Sequence, residues 1–105
     1  MAHSPTSARQ FDVFRMPDGP LVMVIQSDLL EAAATRVVAP LLPPGAAGRG
    51  LQTLNPELRV GGEAIVLMPQ LLATLTVGEL GERVGSLAAE RDAVTRALDA
   101  LLSGI

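Results

Sequence analysis

The spacing of apolar residues changes once along this chain, near residue 86, and that change is the strongest constraint on its fold. Before it, apolar residues come as short runs and alternations between turn formers, which is how strands read. After it, Leu87, Val94, Leu98, Leu101 and Ile105 recur at intervals of three, four or seven, one face of a helix. The spacing predicts a helix over about 87–102, with Ser86 a suitable N-cap and Gly104 its stop. Asp92 and Arg96 stand four apart in the favourable order for an ion pair on its exposed face. Short strands followed by one helix describe an α+β domain or a small barrel with a helix packed on it.

Within the front two-thirds, Phe11–Met16 alternates and leads into Pro17-Asp18-Gly19, where proline presets one turn dihedral and glycine takes another. Leu21–Gln26 is a β-rich run, so the two segments form an N-terminal hairpin. Ser27-Asp28 ends the second strand through side chains that bond nearby amides. Thr35–Leu42 reads as a third strand, with Pro40 tolerated at an edge or a bulge. Pro43–Gly50 reads as a loop inside one domain. Glu57–Val60 and Glu63–Met68 flank Gly61-Gly62, a two-residue hairpin turn. Leu71–Val77 is a candidate for the last strand of the sheet. Met1–Arg9 reads as a flexible N-terminus, and residues 10–105 as a single domain.

Composition removes several classes of function. The 105 residues contain no cysteine, so disulfides, zinc-thiolate sites and cysteine nucleophiles are out. His3 stands alone in the N-terminal segment, and no metal site or cofactor is expected. No phosphate-binding or dinucleotide-binding glycine motif occurs. Glu79 and Glu82 read as solvated surface rather than as paired carboxylates. All eight basic residues are arginines, scattered along a chain of net charge -3, and Phe11 and Phe14 are its aromatic residues. Direct nucleic-acid binding lacks both its basic footprint and its stacking platform. The apolar stretch 64–77 is broken by Pro69-Gln70 and falls short of the ~20 residues of a membrane span. A soluble, cytoplasmic protein is expected.

Two features stand apart. Leu29-Leu30 follows directly on the strand-ending Ser27-Asp28, and pattern alone assigns these leucines to the core. The helical stripe runs to Ile105, where frayed polar residues are usual, so the end is expected to be tied down by the fold, a partner or a second copy.

These pieces coincide with a family pattern. Gln10–Phe14 (QFDVF), Val24–Leu30 (VIQSDLL), Arg36–Leu41 (RVVAPL), Leu54-Asn55-Pro56, Gly61-Gly62-Glu63, Leu80-Gly81-Glu82 and Gly104-Ile105 resemble the CcdB toxins of toxin–antitoxin modules in order and spacing. The resemblance covers residues 10–105. It implies a mainly β, antiparallel SH3-like barrel of the CcdB/MazF kind with a C-terminal α-helix, forming a homodimer. It implies a protein that is not an enzyme, that binds the DNA gyrase A protein and poisons gyrase, and that a CcdA-like antitoxin neutralises.

The gyrase-contacting positions of the family fall here on Leu29, Leu30, Asp99, Ser103, Gly104 and Ile105. Leu29 and Leu30 replace a pair of isoleucines and stay apolar, which favours a contact role over the core. Asp99 replaces an asparagine. Ser103 replaces a tryptophan, and loss of a tryptophan hot spot typically costs ~2 kcal/mol or more of binding, above a tenfold change in affinity. The competing expectations are a MazF-like endoribonuclease, in which an arginine such as Arg15 or Arg36 serves RNA cleavage, and a non-toxic relic that engages only an antitoxin.

Overall fold

The computed structural model describes residues 8–48 and 51–104. Seven strands form one antiparallel sheet that curls into a half-barrel. They are β1 (Asp12–Arg15), β2 (Leu21–Val24), β3 (Thr35–Leu42), β4 (Glu57–Val60), β5 (Glu63–Leu67), β6 (Ala73–Thr76) and β7 (Glu82–Ser86). The strand order is β4-β5-β3-β2-β1-β7, with β6 also on β3. The chain thus has the mainly β fold with a C-terminal helix expected of it.

The long strand β3 curls the sheet by changing partners. One edge pairs with β2 over Val38–Leu41, from Leu21↔Leu41 to Val24↔Val38. The other edge pairs Thr35–Val38 with β6 and Leu41-Leu42 with β5. Pro40 therefore lies in a central strand rather than at the expected edge or bulge. Its carbonyl accepts from the Met68 N–H at 3.0 Å. In an antiparallel strand the N–H and C=O of a residue point to the same side. The donor that proline lacks would thus face the junction between β5 and β6, where no strand residue requires it.

Strands β1 to β3 are buried on both faces, which is why their sequences read as runs. Val13, Met23, Ala39 and Leu41 turn to one side, packed with Leu58, Ile65, Leu67, Leu87, Val94 and Ala97. Phe14, Val22, Val24 and Val38 turn to the other, joined by Ala8. Ala8 is buried and Arg9 forms an ion pair with Asp28, so these two residues are held where a flexible N-terminus was expected. Phe11 adopts φ +73, an uncommon backbone conformation for a bulky residue. Its N–H donates to Val24 O at 2.7 Å and its carbonyl accepts from Leu87 N–H at 2.8 Å, which fixes it from both sides.

The hairpin β4–β5 turns at Gly61-Gly62 with φ +59 and +86, the two positive values of a tight two-residue turn. The sheet does not end near Val77. Strand β7 pairs with β1 from Asp12↔Ser86 to Arg15↔Glu82, across an irregularity at Val13/Phe14. Its sequence, ERVGS, has few strand formers, so its alternation is faint; register with β1 and the Arg83–Asp12 ion pair at 3.1 Å hold it there. Gly81 precedes it because a Cβ at this position would collide with the Arg15 carbonyl oxygen.

The loop after β3 contains one helical turn, α1 (Pro44–Ala47). A 3-10 turn over Ala88–Glu90 then leads into helix α2 (Arg91–Ser103). The Ser86 hydroxyl accepts from the Ala88 N–H at 3.1 Å, ahead of the 3-10 turn, and does not cap the helix, whose N-cap is Glu90. Asp92 and Arg96 form no ion pair; among the described residues the ion pairs are Arg9–Asp28 and Arg83–Asp12. Arg91 instead lies over the Phe11 ring, 5.5 Å from its centre. Val94 and Ala97 root α2 in the core, and Gly104 ends it in a left-handed conformation, donating to Ala100 O at 3.1 Å. No helix among the described residues is long and apolar enough to cross a membrane.

Candidate functional site

Leu29 and Leu30 do not enter the core. They sit on a 3-10 turn, Asp28–Leu30, between β2 and β3, with 94% and 58% of their surface exposed. The local sequence makes the turn: the Ser27 hydroxyl accepts from Leu29 N–H at 3.1 Å, and Asp28 stands in the first turn of the short helix. Residues 31–35 are exposed as well, so apolar packing does not shape this segment.

Polar groups shape it instead. Asp28 accepts from Gln10 N–H at 2.8 Å and pairs with Arg9 at 3.2 Å, which ties the turn to the segment before β1. Gln26 donates to Leu30 O at 3.4 Å and Thr35 O at 3.2 Å, and accepts from Val37 N–H at 3.0 Å. Beneath them lies Arg36, 1% exposed. Its guanidinium faces no carboxylate. Nε donates to Ala8 O at 2.9 Å, Nη1 to Ala33 O at 2.6 Å and Thr35 O at 2.8 Å, and Nη2 to Glu31 O at 2.9 Å. Four charge-assisted bonds offset the desolvation of the buried cation.

The other expected contact residues cluster at the end of α2. Asp99, Ser103 and Gly104 are all exposed. The Ser103 hydroxyl donates to Asp99 O at 2.7 Å, one turn back, so it is spent on the helix itself. Asp99 and Ser103 line a cleft of about 400 Å³ with Arg96 and Thr53. Gly104 and Ala100 line a second, of about 470 Å³, with Leu51 to Leu54. Neither cleft includes Leu29 or Leu30 among its lining residues. Ile105 lies outside the described residues. Asn55 braces the facing loop: its amide donates to Leu67 O at 3.1 Å and Gln70 Oε1 at 2.8 Å, and its oxygen accepts from Leu51 N–H at 3.3 Å.

The remaining candidates disperse. Glu79 forms a capping box with Thr76 and Glu82 lies in β7 opposite Arg15, so they are not a dyad. His3 lies outside the described residues. No group of three or more metal-ligating side chains occurs among those described. Arg36 is spent on backbone carbonyls and cannot reach an RNA. Arg15 is exposed and lines, with Glu63 and Leu21, a cleft of about 530 Å³. Reasoning from sequence named Arg36 for RNA cleavage rather than for shaping the turn, and it passed over Gln26 and the 51–54 loop. The polar pair Ser27-Asp28 is the one signal that pointed at the turn.

A family model described as CcdB protein matches residues 10–104. No curated protein matches the chain. Among solved structures, an endoribonuclease from mycobacterial species is similar at 18% identity and TM-score 0.72, covering 90% of this chain and 89% of that one. A mycobacterial endoribonuclease in complex with its cognate antitoxin is similar at 16% identity and TM-score 0.73, over 91% and 94%. The Mycobacterium tuberculosis toxin MazF-mt6 is similar at 20% identity and TM-score 0.68, over 86% and 93%. These findings correct the expectation that the chain is not an enzyme, because the barrel it shares is the fold of proteins named endoribonucleases.

Proposed function

The chain belongs to the CcdB family and is a toxin of the toxin–antitoxin kind, and from that premise we propose that it binds the DNA gyrase A protein and poisons the enzyme. The observation that carries this reading is the display of Leu29 and Leu30. They are large apolar side chains held open to solvent by a polar network, at the place where the family resemblance puts its contact pair. An apolar pair that fills no core is suited to a partner's pocket, the environment in which interface anchors act. Asp99, Ser103, Gly104 and Ile105 form the second contact group, and an antitoxin of the CcdA kind silences the toxin. A homodimer completes the proposal, because a two-fold copy would place both contact groups twice on one particle.

Supercoiling and DNA-cleavage assays with gyrase from the same host test it. Purified chain is expected to lower supercoiling and raise cleaved DNA, and Leu29→Ala/Leu30→Ala to abolish both. Ser103→Trp is expected to strengthen the effect by restoring an aromatic anchor. No effect of the native chain and of Ser103→Trp at saturating protein sinks the gyrase reading.

A second reading is favoured by one observation, the shared barrel of the mycobacterial endoribonucleases. On that reading the exposed Arg15, beside Glu63 in their cleft, serves RNA cleavage, and Arg15→Ala abolishes it. Growth arrest on expression separates both toxin readings from an inert antitoxin-binding relic.

A further inference from the structure

We infer that Arg36 is a positioning residue that sets the shape of the turn displaying Leu29 and Leu30. The inference deepens the gyrase reading and rests on it for the identity of the partner. Its structural half stands on the chain alone.

A buried arginine normally faces a carboxylate, because an unpaired buried charge is strongly unfavourable. Arg36 faces none. Four of the five N–H groups of its guanidinium donate to main-chain carbonyls. Three of those carbonyls, on Glu31, Ala33 and Thr35, belong to the segment that closes the turn. The fourth, on Ala8, belongs to the segment whose neighbours Arg9 and Gln10 hold Asp28. One rigid planar fork thus joins both strands of chain that support the two leucines. No apolar group from residues 28–35 is buried to take over that task. The arginine itself starts at the second residue of β3, where its backbone pairs with Leu75 of β6. Its backbone is therefore anchored in the sheet, and its head transmits the position of the sheet to the turn.

Lysine cannot substitute fully. Its three donors radiate from one nitrogen, whereas the four carbonyls are reached here from three separate nitrogens. Leu29 is 94% exposed and makes no packing contribution of its own. The turn thus holds its shape through Arg36, while the leucines supply only the surface.

Amide hydrogen exchange of the full chain and its affinity for the host's gyrase A protein, measured on wild type, Arg36→Met and Arg36→Lys, test the inference. In Arg36→Met, amides 28–35 are expected to exchange about tenfold faster while Met23, Ala39 and Leu67 are unchanged; tenfold is ~1.4 kcal/mol of local opening. Arg36→Lys is expected to lie between the two. Gyrase affinity is expected to fall about tenfold in Arg36→Met, and that loss to shrink in a Leu29→Ala background, as it must if the arginine acts through the leucines. Exchange that is unchanged, or that rises equally across the core, overturns the inference. So does an affinity loss that adds undiminished to that of Leu29→Ala. If wild type binds no gyrase A protein, the gyrase reading fails and the exchange pattern alone decides the role of Arg36. If Arg36→Met does not fold, Arg36→Lys decides on the same readouts.

Discussion

The Leu29–Leu30 turn and the end of helix α2 both offer apolar surface to solvent, but they are built in opposite ways. The turn has no apolar root. It hangs on a buried guanidinium, a glutamine and an ion pair, and its leucines are free of structural duty. The helix has an apolar root in Leu87, Val94 and Ala97, and its stripe loses cover as it leaves the barrel: Leu98 and Leu101 are half-buried and Leu102 is 79% exposed. A surface hung on hydrogen bonds is specified residue by residue, because each donor meets one acceptor at a fixed distance. A surface rooted in apolar packing is specified by area and volume and tolerates exchange among residues of similar size.

Three substitutions would break or sharpen that contrast. The largest effect is expected for Leu87→Ala, which empties the root of the helix; a 1% exposed leucine cut to alanine costs about 2–5 kcal/mol, read as a lower urea midpoint. The turn should stay intact at temperatures where the variant is folded, since none of its polar partners involves Leu87. Gln26→Ala comes next. It removes two donors to Leu30 O and Thr35 O and the acceptor of Val37 N–H, and is expected to lower stability by about 1 kcal/mol and to speed exchange at Leu30 and Val37. A variant as stable as wild type with unchanged exchange would show that the turn does not hang on its polar partners. The smallest effect is expected for Leu102→Ser, within about 0.5 kcal/mol of wild type in the same titration, because the side chain is already in water. A larger loss would mean that this part of the stripe is covered by a second copy in solution.

Much of the architecture is legible in the order of residues. The switch of period near residue 86 locates the helix, the turn formers bound β1 to β5 to within a few residues, and Gly61-Gly62 predicts the positive dihedrals of its hairpin. These features are local: periodicity, dihedral preference and capping act over a few residues and are written in the order of the side chains. Strand β7 is not legible in that way. ERVGS carries little strand preference of its own, and only the edge of β1 and the carboxylate of Asp12, 71 residues away in sequence from Arg83, make it a strand. Pro40 escapes sequence reasoning on the same ground, since whether its missing donor matters depends on which strand lies opposite.

The candidate site divides along that line too. The residues proposed to face a partner, Leu29, Leu30, Asp99 and Ser103, could be named from the order of motifs along the chain. Whether the leucines point in or out could not, because a leucine after a strand suits the core as well as the surface. The sequence by itself determined a series of short strands closed by one C-terminal helix, since hydrophobic period and turn chemistry are properties of neighbours. Only the tertiary structure decided that Arg36 would be buried and Leu29 exposed. That inversion of the usual rule depends on four carbonyl oxygens, drawn from two separate stretches of chain, converging on one guanidinium.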